Sequence, residues 1–248
     1  MRLLLAACLV VVAVFGGIQP GLRRAAFTGH ADIDFHPLTE TSSTPGGSSS
    51  ADNGQALQEM LEGPGGPQRW RQSPKLTILV SVMDYRPGGD VEYVATDERL
   101  SDADVAELLR DLTDGLGVLT ANTFEQYSSV GREVVPAGST AIVSRPGEIV
   151  AGRFSGLQRS MKTLGFGGRR ARKDGTITAG AVLLDSEFDR SNAKRRLLRT
   201  HELGHALGYN HVHSRTSIMN PRIGSEPNAF DRAAALIAFR APALAASR

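Results

Sequence analysis

Residues His201 to His211 read HELGHALGYNH and place three imidazoles and one carboxylate in a single short stretch. On an α-helix, His201 and His205 lie about one turn apart, so both rings face the same side, roughly 6 Å apart along the axis. Glu202 lies about 100° round the helix from His201, beside that pair. This position suits a general base that reaches a metal-bound water better than it suits a ligand.

A third imidazole can join the pair only if the helix ends before His211. In a continuous helix, His211 would lie about 240° round from His205 and point away. Gly208 permits the turn, because glycine enters left-handed conformations without a Cβ penalty and commonly ends helices. Ordinary polar histidines on an amphipathic helix are the alternative, but this composition gives only about two chance matches in 100,000 chains. The stretch therefore predicts a three-histidine zinc site with a fourth position open to water.

A methionine follows the three histidines within a short stretch of the sequence. Met219 comes eight residues after His211, within the segment SIMNP at 217–221. The pattern HExxHxxGxxH together with this segment resembles the metzincin clan of zinc peptidases. The spacing from His211 to Met219 is similar to that of the matrixin branch of this clan, which contains the matrix metalloproteinases. The resemblance implies that Met219 forms an apolar floor beneath the imidazoles and makes no bond to zinc. Taken alone, Met219 would be a core methionine before a proline turn.

Two residues depart from the matrixin pattern. Val212 follows the third histidine, where matrixins usually carry a small hydroxyl residue. His213 is a fourth imidazole, and we interpret it as a surface residue rather than as a partner of the ligands or a substrate contact.

The resemblance implies a zinc-dependent endopeptidase. One catalytic zinc ion, held by His201, His205 and His211, would activate a water, with Glu202 as the general base. The sequence leaves structural calcium undetermined. The alternative is a catalytically inactive, exported zinc-binding or surface interaction protein with a metzincin fold, which would carry the same residues and cleave nothing.

The expected partner is a polypeptide substrate. The resemblance implies that it pairs as an extended strand with a sheet edge, formed by Glu148–Phe154 or Thr176–Leu184, beside a pocket walled by the segment after Met219. The net charge is only +2, and the basic run Arg169, Arg170, Arg172 and Lys173 contains no aromatic residue. We interpret this run as a solvated loop, expect no nucleic-acid partner, and expect a monomer.

The N-terminus predicts export. Residues 3–18 form an apolar run after Met1-Arg2, typical of a secretory signal and short for a membrane span, although an uncleaved membrane anchor is the alternative. The only cysteine, Cys8, lies in this run. We therefore divide the chain into a signal peptide or anchor at 1–26, a Ser/Gly/Pro-rich linker or pro-segment at 27–74, and a metzincin-like catalytic domain at 75–248. The protein is expected to be secreted or extracytoplasmic, or anchored to the membrane by this segment.

The catalytic domain is predicted to be α+β and zincin-like. We expect a mixed, twisted sheet of about five strands with a backing helix and an active-site helix, and a small C-terminal subdomain with a methionine turn and a terminal helix. The strand order in the sheet and the subdomains are implied by the resemblance. The predicted strands are Leu76–Met83, Phe124–Val130, Thr140–Ser144, Glu148–Phe154 and Thr176–Leu184, with a turn at 145–147. The acidic segment 185–189 is similar to the turn that precedes the active-site helix in matrixins, so the resemblance implies a turn there as well. The predicted helices are Asn53–Glu62, Ser101–Leu116 with Ser101 as the N-cap, Asn192–Tyr209 and Ala229–Arg240.

Overall fold

The structure, a computed structural model, describes residues 34–37, 50–63, 66–86 and 92–240, and these form an α+β fold. The strands are β1 Asp34–Pro37, β2 Lys75–Leu79, β3 Ser81–Arg86, β4 Glu92–Arg99, β5 Val130–Glu133, β6 Glu148–Ser155, β7 Gly165–Ala171 and β8 Ile177–Asp185. The helices are α1 Ser50–Leu61, α2 Asp102–Leu119, α3 Leu157–Met161, α4 Ser186–Ser191, α5 Arg195–Leu207 and α6 Ala229–Arg240.

One mixed sheet organises the fold. Five strands follow one another in the order β5-β2-β6-β8-β7, in which the first four are parallel and β7 is antiparallel to β8. Strand β1 adds to the outer side of β7, and β3 pairs with both β4 and β6, so the described sheet has eight strands. The predicted mixed sheet of about five strands corresponds to the central path, and the other three extend it.

Both faces of the sheet are buried. Alternate side chains of a strand point to opposite faces, so Val182 and Leu184 of β8 join the core cluster that includes α2 and α5. Ala181 and Leu183 join the second cluster, which includes residues of β3 and β4. Parallel strands covered on both faces read as continuous apolar runs, which is why β6 and β8 are recognisable in the sequence.

Helix α5 packs directly against the sheet, with contacts to β7 and β8 on one side and to α2 on another.

Several predicted elements are confirmed because local rules determine them. Helix α2 begins after Ser101, whose hydroxyl accepts from the N–H of Asp104 while the Asp104 carboxylate accepts from the N–H of Ser101. This capping box is the expected device for the start of a helix. Strands β6 and β8 and helix α6 agree with their predicted bounds within about a residue, and the turn at 145–147 has Gly147 at a φ of 78°.

Two predicted strands are wrong. Both segments contain apolar residues that are buried although the segment does not form a hydrogen-bonded strand ladder. Most of Phe124–Val130 is a loop, and only Val130 enters β5. Thr140–Ser144 is also a loop, joined to β4 by one isolated bridge between Val94 and Thr140. Its Ala141 and Val143 are buried while Ile142 is 58% exposed. Buried and exposed side chains do alternate in this segment, but the alternation arises because the segment packs on the sheet and not because it pairs as one of the strands.

Other boundaries also differ from prediction. The apolar run Leu76–Met83 divides at Val80 into β2 and β3. The acidic segment 185–189, predicted as a turn, ends β8 and forms most of α4, with Asp185 as the N-cap. Helix α5 is shorter than the predicted Asn192–Tyr209.

The two predicted edge strands are both interior. Strand β6 lies between β2 and β8, and β8 lies between β6 and β7. A substrate strand therefore cannot add to either of them. Strand β7, which contacts α5 closely, has its outer side paired with β1, with Phe35 opposite Gly168.

The basic run is not a solvated loop. Arg169 and Arg170 belong to β7, and Arg169 is only 4% exposed, whereas Arg172 and Lys173 are exposed as predicted. Strand β7 reads GFGGRRA, and glycine and arginine are poor strand signals, so the pattern concealed it.

Helix α1, which lies inside the predicted linker, packs against the part of the chain that the sequence predicts to be the catalytic domain. Its Ala56 and Met60 are fully buried in the cluster that contains α5 and α6. The predicted signal or anchor at 1–26 lies outside the described residues. Within the part that is described, no helix is both long and apolar enough to cross a bilayer.

Candidate metal centre

Helix α5 carries the first two histidines through the centre of the molecule. Every residue from Leu198 to Leu207 is buried, because the sheet covers one side of the helix and α2 another. His201 is 1% exposed and His205 is 0% exposed. Their ring centroids lie 4.8 Å apart, on the shared side that the spacing of four residues predicts.

Gly208 ends the helix and turns the chain. Its φ is 122°, outside the range that other residues readily adopt, and a Cβ at this position would lie 2.1 Å from the carbonyl oxygen of Gln68. Glycine is therefore required both by the backbone angle and by the close approach of another segment. The sequence indicates the first reason, whereas the second depends on the fold.

The turn brings His211 to the other two imidazoles. The Nε2 atoms are 3.1 Å apart for His201 and His205, 3.1 Å for His205 and His211, and 3.2 Å for His201 and His211. Tetrahedral zinc with bonds of about 2.0 to 2.1 Å to nitrogen needs the nitrogens about 3.3 Å apart. The three histidines form the group of possible metal ligands found among the described residues, and Glu202 is not part of it.

Two backbone carbonyls fix the orientation of the buried rings. His201 Nδ1 lies 2.6 Å from the carbonyl oxygen of Ile218, and His205 Nδ1 lies 2.8 Å from that of Tyr209. Because a carbonyl only accepts, we assign the proton of each neutral ring to Nδ1, which leaves the Nε2 lone pair directed to the common centre. Lone pairs converging at this distance repel one another unless a cation lies between them. The donor set therefore fits zinc.

Glu202 is fully buried, and neither carboxylate oxygen has a hydrogen-bond partner among the described residues. Burial raises the pKa of its carboxyl well above the ordinary value. Strand β7 leaves room for the side chain, since a Cβ on Gly165 would lie 2.7 Å from Glu202 Oε1. Gly165 and Gly167, which the sequence did not single out, thus allow β7 to approach α5.

Met219 packs against α5, the helix that carries His201 and His205. Its side chain is fully buried, and a Cβ on Gly204 would lie 2.3 Å from its Sδ. The segment around it is tied down by Asp231, which accepts from the Ser217 hydroxyl at 2.5 Å and from the N–H of Ile218 at 3.2 Å. Asp231 thereby helps to hold the Ile218 carbonyl that orients His201.

The two departures from the matrixin pattern differ in their surroundings. Val212 is fully buried, and its N–H donates to the carbonyl of Met219. His213 is exposed, as expected of a surface residue, and its ring centroid is 6.2 Å from that of His211. Its N–H donates to Glu59 of α1.

A buried ion network behind α5 was not foreseen. Arg199 donates from Nε and Nη2 to the two oxygens of Asp189, at 2.7 and 2.9 Å, and from Nη1 to Asp111 at 2.7 Å. Arg153 of β6 donates to Asp189 at 2.8 Å. Burial would lower the pKa of the Arg199 guanidinium, but the hydrogen bonds and charges of Asp189 and Asp111 outweigh burial and raise it. Arg199 follows Arg195 and Arg196 in the same helix, so the sequence gives no signal that this arginine is the buried one or which acids it meets.

Residues 118–233 match the model of the matrixin family of peptidases. This part of the chain is similar to a matrixin domain. No curated protein matches the chain. The matrixin match begins at the end of α2 and includes the three histidines, Glu202 and Met219. Matrixins are zinc-dependent peptidases, so the family points to a metallopeptidase-type hydrolase and a polypeptide substrate. Helix α1 and strands β2 to β4 lie outside the match.

Proposed function

We propose that the protein is a zinc-dependent endopeptidase with His201, His205 and His211 as the metal ligands. The observation that carries this proposal is the convergence of three Nε2 atoms within 3.2 Å. The carbonyls of Ile218 and Tyr209 support it, because they hold the two buried rings in the ligating tautomer. A structural zinc site normally has four protein ligands, whereas this group offers three.

Glu202 is proposed as the general base. Zinc, when bound, supplies a Lewis acid that polarises the scissile carbonyl and lowers the pKa of a water. Glu202 accepts the proton that the attacking water loses and then gives it to the leaving amine. Its carboxylate oxygens, unpartnered among the described residues, are free for this exchange. Met219 is proposed as the apolar support of the ligands, since it contacts α5 at Gly204, next to His205.

The experiment combines zinc content with cleavage of a denatured-protein and peptide library, with and without a chelator. The wild type should hold about one zinc per chain and lose cleavage on chelation. Glu202→Gln should retain zinc, with kcat reduced about 100- to 10,000-fold, because the general base is lost while the ligands stay. His211→Ala should bind zinc more weakly, and His213→Ala, which removes an exposed imidazole two residues away, is the matched control.

Three outcomes would contradict these assignments. Wild-type turnover in Glu202→Gln would exclude Glu202 as the base. Wild-type zinc affinity in His211→Ala would exclude the third ligand. A wild-type protein that binds zinc and cleaves no substrate in the library would favour the inactive zinc-binding protein.

A further inference from the structure

Arg169 is a buried arginine beside the proposed metal centre. It lies in β7, where it pairs with Gly180 of β8, and its side chain is only 4% exposed. A buried guanidinium must have its N–H groups satisfied, because the desolvation of a charged group is expensive. The groups that accept hydrogen bonds from Arg169 therefore indicate its structural role.

Among the described residues, most of the groups that accept from Arg169 lie in the segment from His205 to Asn210. Nη1 donates to the carbonyl of Tyr209 at 3.1 Å and to that of His205 at 3.4 Å. Nη2 donates to Asn210 Oδ1 at 2.7 Å. Nε donates at 2.6 Å to the side chain of Gln68, whose carbonyl packs on Gly208. One rigid guanidinium thus spans the end of α5 and the loop that leads to His211.

The Tyr209 carbonyl connects Arg169 to the ligand His205. This oxygen accepts from His205 Nδ1 at 2.8 Å and from Arg169 at 3.1 Å. A carbonyl oxygen has two lone pairs, so both donors can be satisfied together. If Arg169 fixes the position of this oxygen, it also fixes the proton on Nδ1 and the direction of His205 Nε2.

Asn210 connects Arg169 to the ligand His211, which follows it directly in the chain. The Asn210 side chain accepts from Arg169 and donates to the carbonyl of Glu62 at 2.7 Å, and its N–H donates to the carbonyl of Met60. Asn210 is therefore held between β7 and α1. The position of the third imidazole depends on this attachment.

We propose that Arg169 is a positioning residue of the metal centre, which holds the Tyr209 carbonyl and the Asn210 side chain so that His205 and His211 meet His201. This inference rests on the metal centre proposed above and not on peptidase activity. The planar fork of arginine serves several acceptors at once, which a single ammonium group cannot do in the same geometry. Loss of such an outer partner typically weakens metal binding about 10- to 100-fold.

The test compares Arg169→Met with Arg153→Met in the full chain. Arg153 is equally buried, at 4% exposure, but its partners are Asp104 and Asp189, away from the ligand loop. Zinc affinity is measured by competition with a chromogenic chelator, and the histidine tautomers of the zinc-free protein are read by nitrogen-15 NMR. Arg169→Met should bind zinc about 10- to 100-fold more weakly and lose the single Nδ1–H form of His205. Arg153→Met should keep both properties.

Wild-type zinc affinity and an unchanged His205 tautomer in Arg169→Met would overturn the proposal, and so would an equal loss in Arg153→Met. If Arg169→Met fails to fold, Arg169→Lys and Asn210→Ala test the same contacts, and wild-type affinity in both would overturn it. A wild-type protein that binds no zinc would refute the metal centre. The His205 tautomer of the wild type and of Arg169→Met would still show whether Arg169 orients that ring. A zinc-binding protein without cleavage would refute only the peptidase.

Discussion

The two ends of α5 are held in different ways. The N-terminal half is held by charges: Arg195 pairs with Glu107, and Arg199 pairs with Asp189 and Asp111. The C-terminal end is held mainly through backbone carbonyls. Trp70 donates to the carbonyl of Ala206 at 2.9 Å, the carbonyl of Gln68 packs on Gly208, and Arg169 donates to the carbonyls of His205 and Tyr209.

Because of this difference, we expect substitutions at one end of α5 to affect stability and substitutions at the other end to affect zinc binding. A buried ion network carries a large desolvation penalty, and removal of one member leaves the others uncompensated. The N-terminal half of α5 should therefore respond to substitution with a loss of folding free energy. The C-terminal end sets the directions of two of the proposed ligands, His205 and His211, so it should respond with a loss of zinc affinity. Each variant below is measured for both properties, by denaturant unfolding of the zinc-free protein and by chelator competition.

The largest loss of stability is expected for Asp189→Asn. Asp189 is fully buried and accepts from both Arg199 and Arg153, so removal of its charge should lower the free energy of unfolding by about 3–5 kcal/mol. Asp114→Asn is the control, since Asp114 pairs with Arg196 at 3.8 Å on exposed faces of α2 and α5, and should change stability by less than about 1 kcal/mol. Zinc affinity of the folded protein should stay within a few-fold of wild type. A loss of affinity without a loss of stability would refute the division between the two ends.

Gly208→Ala is expected to affect both properties. The new Cβ would combine a φ of 122° with a 2.1 Å approach to the Gln68 carbonyl, so we expect about 2–4 kcal/mol of destabilisation. Because His211 follows the turn, zinc affinity should fall at least about tenfold. Gly138→Ala is the matched control: Gly138 has a φ of 78° with nothing within 4 Å of a Cβ, so it should cost about 1 kcal/mol and leave zinc binding unchanged. Equal effects at the two glycines would show that the contact with Gln68 has no part in the turn.

The smallest effect is expected for Glu59→Ala. Glu59 of α1 accepts from the N–H of His213 at 3.1 Å and from the Ser214 hydroxyl at 3.2 Å, just beyond His211, the proposed third ligand. Loss of these bonds should lower stability by about 0.5–1.5 kcal/mol and weaken zinc binding by about 2- to 5-fold. Glu62→Ala is the control, because the Glu62 side chain has no hydrogen bond within the described part of the chain. If Glu59→Ala and Glu62→Ala behave alike, α1 does not support the ligand loop through this side chain.

Prediction from the sequence succeeded where neighbours in the chain decide the outcome. The N-cap at Ser101, the apolar runs of β6 and β8, and the shared face of His201 and His205 all follow from short-range geometry. It failed where an apolar stretch is buried without forming a strand ladder, as at 140–144, which only one isolated bridge joins to β4, since alternation reports burial and not pairing. It also failed for β7, whose glycines serve the approach of α5 rather than a strand preference.

The sequence by itself determined the chemistry of the proposed centre, because three histidines and one glutamate at fixed spacing, with one glycine, specify which groups a helix and a turn can bring together. The tertiary structure alone decided what holds those groups in place. Arg169 reads as one of several surface arginines, and α1 reads as part of a linker, until β7 and α1 are folded against residues 205–214. The physical reason is distance along the chain. A helix or a turn is fixed by residues within a few positions, whereas the partner of a buried guanidinium or of an unpaired carbonyl is known only when remote segments meet.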